Sequence, residues 1–255
     1  MVSDLLARSL DRRGIHYGWV VAAITFLTML ITAGAMGAPG VFMLPLQHEF
    51  GWTAQEISAA LAIRFALFGL LGPFAAAFLN RFGLRRVMLA ALAIIVSALL
   101  LSLAMSEHWH LVLLWGIVLG FGTGLTAMVL AATVATRWFA ARRGLVLGFL
   151  AASSATGQLA FLPLTAALTD AFGWRIALAV VCGGLGLATL AVIALMRDRP
   201  SDLGLPAYGE TAVAVDPPAT GSLLALLRSP LLILGDAART WPFWILFGTF
   251  FVCGA

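Results

Sequence analysis

Six apolar stretches, each long enough to cross a bilayer, constrain this chain more than any other feature of its sequence. A helix spanning ~30 Å of hydrocarbon needs about 20 predominantly apolar residues. Residues 18–43, 53–78, 87–105, 111–136, 144–169 and 176–196 meet that requirement. A seventh run opens at Trp241 and is still apolar at Ala255, too short from Phe243 onward to span by itself. The first run far exceeds the apolar core of about 7–15 residues found in a secretory signal, so it reads as an uncleaved span. The expected architecture is an all-α membrane protein: a bundle over residues 1–196, a linker over 197–240, and the start of helix seven over 241–255.

Composition supports this and excludes other classes. Charged residues make up 10% of the chain and hydrophobic residues 62%, whereas a soluble domain carries roughly 25% charge to cover its surface. All fifteen cations are arginine. Thirteen cluster at the N-terminus (Arg8, Arg12, Arg13), in the second connection (Arg81, Arg85, Arg86), in the fourth (Arg137, Arg142, Arg143) and after span six (Arg197, Arg199, Arg228, Arg239). Every one of these lies on the same side of a six-span layout. The positive-inside rule then makes that side, and the N-terminus, cytoplasmic, as expected for a multi-pass protein of the cell (inner) membrane. A pI near 10 does not indicate nucleic acid here, because the arginines sit at helix ends and not along a soluble basic face. Cys182 and Cys253 lie inside apolar runs, and His108-Trp109-His110 has no third ligand at metal spacing. No paired carboxylates, Ser/His/Asp constellation or Walker motif is present, so neither an enzyme nor a cofactor is expected.

Between residues 197 and 240, Pro200, Pro206, Pro217 and Pro218 fall among small polar residues. The apolar part of this linker, 222–234, is interrupted by Arg228, Ser229 and Pro230 and reads as a surface segment. The chain also echoes itself at an offset of ninety residues. Pro73 precedes Phe82-Gly83-Leu84-Arg85 as Pro163 precedes Phe172-Gly173-Trp174-Arg175. Three spans separate the copies, so they would be inverted in the membrane, two three-helix repeats of the kind that builds transporters. Chance similarity between two helix–turn–helix corners is the alternative.

Arg64 is the sharpest candidate functional residue. Thr53 and Glu56 form a capping box that starts span two, which places Arg64 about 16 Å into the membrane. An arginine at that depth costs at least ~2.5–3.5 kcal/mol on insertion scales, and no Asp or Glu is expected at its level. It either neutralises an anionic substrate or bonds to carbonyls and hydroxyls of a neighbouring helix. Thr25, Thr28 and Thr32 share a face of span one, and Thr126, Thr133 and Arg137 a face of span four, with Thr123 one turn earlier. These stripes line a polar path or bond back to their own helices. Gln158, mid-span in helix five, is a further polar candidate. Gly34, Gly37 and Gly40 in span one, and Gly116, Gly120, Gly122 and Gly124 in span four, favour close helix packing.

The second connection, Ala76-Ala-Phe-Leu-Asn80-Arg81-Phe-Gly83-Leu-Arg85-Arg86, resembles the signature between spans two and three of the major facilitator superfamily, roughly Gly-x-Leu-x-Asp-Arg-x-Gly-Arg-Arg. Ala76 stands for its first Gly and Asn80 for its Asp. Gly40-Val-Phe-Met-Leu-Pro45-Leu-Gln-His-Glu49-Phe-Gly51-Trp52, Arg137-Trp138-Phe139-Ala-Ala-Arg142-Arg143-Gly144-Leu145 and Gly173-Trp174-Arg175 are similar to the monocarboxylate and oxalate–formate branch. The resemblance implies a secondary transporter of twelve helices, with a small organic anion held between two six-helix halves and access alternating, with or without protons. Arg64, Thr28, Thr32, Thr126 and Gln158 would then bind substrate. Asn80, Arg81, Gly83, Arg85 and Arg86 would form a cytoplasmic gating loop, without the charge that Asp supplies in the family. A second half or a partner chain is implied. The alternative is a truncated or partner-dependent half that moves nothing alone.

Overall fold

The computed structural model describes residues 2–213 and 223–254, so the linker prolines 217 and 218 lie outside the described residues. Six spans form one bundle. Span one is α2 (Gly18–Phe50) and span two the bent pair α3 (Ala54–Leu70) and α4 (Gly72–Phe82). Span three is α5 (Leu84–Ser102). Span four is α6 (His108–Leu111), a π-helical stretch (Val112–Val118), α7 (Leu119–Leu125) and α8 (Met128–Trp138). Spans five and six are α9 (Arg143–Phe172) and α10 (Trp174–Leu195). An N-terminal helix, α1 (Val2–Asp11), packs on α10, and α11 (Leu223–Ala237) and α12 (Trp241–Gly254) follow the linker. Every expected span is present, although span two is not one helix. It bends by 55° between Leu70 and Gly72, because Pro73 offers no backbone N–H and its ring crowds the preceding turn.

The ninety-residue echo is present in the backbone. Gly83 has φ 88° and ψ 161°, Gly173 φ 86° and ψ 160°, and each precedes a helix. Side chains at these two corners would be strained, since L residues rarely adopt positive φ. The packing repeats as well. A Cβ on Gly34 of span one would lie 2.4 Å from the Phe161 ring of span five, and one on Gly124 of span four 3.0 Å from Leu71 Cβ at the end of span two. Both residues of the first pair are shifted by ninety in the second. Leu30 against Gly157 and Gly120 against Leu67 are related in the same way. Spans one and five, and spans four and two, are thus equivalent parallel pairs of two inverted three-helix repeats.

Gly116, Gly120 and Gly124 recur every fourth residue and bring span four onto span two at Ala60, Arg64 and Leu71, while Gly122 faces Ile95 of span three. Gly34 and Gly37 do the same for span one on span five, but Gly40 faces open space and notches nothing.

Part of the expected linker is docked on the bundle. Tyr208 N–H donates to Trp138 O at 2.9 Å, and Ala140 and Ala141 N–H donate to Tyr208 O at 3.0 and 2.9 Å. The Tyr208 ring sits among His16, Trp19 and Phe139. Further on, α11 packs on α4 and exposes Leu231, Leu232, Ile233 and Leu234.

Candidate functional site

The site begins with the start of span two. The expected capping box forms: Thr53 Oγ1 accepts from Glu56 N–H at 3.3 Å, and Glu56 Oε2 accepts from Thr53 N–H at 2.9 Å. This fixes the helix three turns before Arg64, whose side chain is only 1% exposed. Its Nη2 donates to the carbonyl of Met36 in span one at 2.7 Å. That acceptor lies in the turn before Pro39, whose missing N–H leaves the neighbouring carbonyl of Ala35, four residues earlier, without its helical donor. On the other side, a Cβ on Gly120 would stand 3.1 Å from Arg64 Cα, so span four lies directly against the span-two backbone. The guanidinium carbon is 5.0 Å from the ring centroid of Phe65, within cation–π range. Nε and Nη1 are buried with no hydrogen-bond partner among the described residues. A guanidinium carries five N–H donors in a rigid fork. Here only one nitrogen is matched by protein, in an environment where unmatched polar groups are costly.

The other candidates stand around this point at different levels. Thr32 lies one helical turn from Met36, ~6 Å along the axis, and Thr28 two turns away. Both are buried, and their hydroxyls donate to Thr28 O and Ile24 O at 2.7 and 2.8 Å, as Thr25 does to Val21 O. Thr126 bonds to Thr123 O at 3.1 Å and Thr133 to Val129 O at 2.7 Å. The continuous face expected for Thr126, Thr133 and Arg137 does not form, because span four is interrupted at Thr126–Ala127. A glycine-dense turn with poor helical propensity precedes this break. Gln158 follows the glycine seated on Leu30. It is exposed and hydrogen-bonds to no described residue.

The expected gating loop is built from a second set of contacts at the arginine-rich end. Asn80 Oδ1 accepts from Arg137 Nη2 of span four at 2.9 Å, and the same nitrogen reaches Leu79 O at 3.1 Å. Beneath Gly83, the Asp198 carboxylate accepts from Arg85 N–H at 2.7 Å, while Arg85 Nη2 donates to Ile193 O at 2.7 Å. A Cβ on Gly83 would meet that carboxylate at 2.6 Å. Sequence reading missed Asp198, which looked like a linker residue. The available signal was an acid immediately after a span that ends beside a helix N-terminus lacking its own cap. Arg137, Arg143 and Arg199 also converge with Glu210 around a polar cavity of about 210 Å³ at this end. At the opposite end, Glu49 accepts from Trp174 Nε1 at 2.7 Å and pairs with Arg175 at 2.6 Å. There His108 and His110 bond to backbone groups of Glu56 and Glu107.

Comparison with known proteins identifies the family of this fold. A family model described as Major Facilitator Superfamily matches residues 25–255. The chain is 30% identical over 193 residues to monocarboxylate transporter 9 of Mus musculus, covering 74% of this chain and 37% of that protein. It is 30% identical over 219 residues to monocarboxylate transporter 11 of Homo sapiens, covering 86% and 42%. With monocarboxylate transporter 3 of Rattus norvegicus it shares 30% over 184 residues, covering 72% and 37%. The chain therefore matches about two fifths of the length of these relatives.

Proposed function

Because the chain belongs to the major facilitator superfamily, we propose that it forms the first six-helix half of a secondary transporter for small organic anions of the monocarboxylate class. The single observation carrying this reading is Arg64: a cation buried among spans one, two and four, with two of its three nitrogens unmatched by any described residue. A carboxylate is the ligand a planar fork of N–H donors accepts in bidentate fashion. The similarity to monocarboxylate transporters supports the same chemistry.

In this reading a second six-helix half covers the exposed face that carries Gln158, and substrate is held between the halves. Arg64 supplies charge and Gln158 an amide, while Thr28, Thr32 and Thr126, whose hydroxyl protons are already given to their helices, offer oxygens that can accept from a substrate hydroxyl or water but not bind the carboxylate itself. The two halves rock against one another, with or without proton coupling, and the arginine-rich end with the N-terminus is cytoplasmic. Asn80, Arg81, Gly83, Arg85 and Arg86 form the moving contact at that end, held from this half by Arg137 and Asp198.

The test is uptake of a radiolabelled monocarboxylate into proteoliposomes by the transport-competent assembly containing this chain. Arg64→Gln keeps membrane abundance and loses uptake by at least a hundredfold, the scale on which a charged hydrogen-bond pair acts. Uptake by Arg64→Gln at the wild-type rate would overturn the assignment.

A further inference from the structure

The connection between spans two and three carries three arginines, and the structure uses them unequally. Arg85 donates to Ile193 O at 2.7 Å. The Arg81 guanidinium lies over the Phe82 ring, 5.9 Å from its centroid. Arg86 is exposed and forms no hydrogen bond or ion pair with any described residue. It stands at the end of a groove of about 290 Å³ cut between spans two, three and four. Phe78 and Phe82 form one wall, Ala90 and Ile94 the floor and Phe121 the far wall, and Arg86 is the one polar residue of the lining. Although α11 packs on α4, none of its residues with described side chains lines this groove.

Its dimensions relate it to the bilayer. From Arg86 to Ile94 the α5 helix rises ~12 Å, less than half of the ~30 Å hydrocarbon thickness. The groove therefore opens at the arginine-rich interface and ends within the same leaflet. A partner helix, ~10 Å across with its side chains, can lid such a groove but not fill it. A partner helix matches Arg86 only where it carries a carboxylate at that level, whereas an anionic phospholipid always brings its phosphate to the membrane surface. One lipid satisfies both demands, with an acyl chain along the aromatic walls and a negative headgroup on the guanidinium.

We propose that this groove is a binding site for one anionic phospholipid from the leaflet on the arginine-rich face, its phosphate held by Arg86 and its acyl chain seated between Phe78, Phe82 and Phe121. The site requires only the bundle, and it stands whether or not the chain transports an anion. A bound lipid would fill the gap between spans two and three beside the Gly83 turn.

Native mass spectrometry of the detergent-purified chain, titrated separately with dioleoyl-phosphatidylglycerol and dioleoyl-phosphatidylcholine, tests this. The wild type retains one phosphatidylglycerol in preference to phosphatidylcholine. Arg86→Gln weakens phosphatidylglycerol retention about fivefold, the effect of one basic residue at an anionic surface, and leaves phosphatidylcholine unchanged. Ala90→Trp, which fills an exposed floor position without touching the core, loses both lipids. Arg13→Gln, an exposed arginine outside the groove, changes neither. Equal retention of the two lipids by the wild type, or undiminished phosphatidylglycerol on Arg86→Gln, overturns the proposal. So does a dimer that Ala90→Trp abolishes while lipid retention persists, because a second copy of the chain would then occupy the groove.

Discussion

At Arg64 the cost of placing a guanidinium in the membrane is set against a single strong hydrogen bond to Met36 O and a ring face at Phe65. That environment holds the side chain in place without saturating it. Gln158 differs in kind, being exposed and unbonded on span five, so its removal should leave the bundle intact. Gln158→Leu is accordingly expected to raise the KM for a monocarboxylate about three- to tenfold, the worth of one neutral hydrogen bond, with unchanged kcat and thermal stability. Uptake kinetics and a melting curve on the same preparation decide it, and an unaltered KM would remove Gln158 from the site. Arg64 was legible in the sequence because a cation deep in an apolar run is conspicuous. Its partner was not, because a backbone carbonyl beside Pro39 leaves no side-chain signature. The threonine stripes were visible as spacing, yet spacing could not show that each hydroxyl is already committed to the carbonyl three or four residues before it.

Helix boundaries followed hydropathy to within a few residues except at the end of span one, where polar residues at 47–49 continue the helix to Phe50. Internal breaks were harder to see. Pro73 and Pro163 are equivalent in the repeat, but Pro73 sits at a 55° bend and Pro163 within one continuous helix. The difference lies in bracing. Leu71 is seated on Gly124 as Phe161 is on Gly34, but one residue on, Leu162 is seated on Gly37 of span one, whereas its counterpart Gly72 has no side chain and no described atom within 4 Å of its Cβ position. Tertiary contact decided what local sequence left open. The same contacts predict how span five responds to substitution. A Cβ on Gly157 would lie 2.2 Å from Leu30 O, an immovable backbone atom, whereas Gly148 on the same helix has open space around it. Gly157→Ala should destabilise the bundle by about 1–3 kcal/mol through overpacking, and Gly148→Ala should not. Thermal unfolding of the two variants in detergent distinguishes them, and equal melting temperatures would refute the packing argument.

Across the whole molecule, each end of the bundle fastens one Gly-x-Arg corner with one distant carboxylate. Asp198, beyond span six, holds Gly83-Leu84-Arg85, and Glu49, at the end of span one, holds Trp174-Arg175 behind Gly173. The corners are related by the inverted repeat, but the carboxylates are not, so each end acquired its own fastening. The two also differ in strength. Glu49 and Arg175 are both substantially exposed, and ion pairs of that kind contribute little once screened. Asp198 instead supplies the missing cap of α5, accepting an N–H from its first turn, where the helix dipole favours a negative charge. It also restores a charge to the connection in which Asn80 takes the place of an acid. Asp198→Ala is therefore expected to cost about 1 kcal/mol locally, as loss of an N-cap does, and to speed amide exchange across Leu84–Val87 roughly fivefold. Glu49→Gln should leave exchange at the start of α10 nearly unchanged. Hydrogen–deuterium exchange of the two variants, read at both corners, measures the asymmetry directly. Equal protection losses at the two ends would mean that the Asp198 contact is an ordinary surface pair, and the Asn80–Arg86 connection would then owe its position to the Arg137–Asn80 and Arg85–Ile193 contacts.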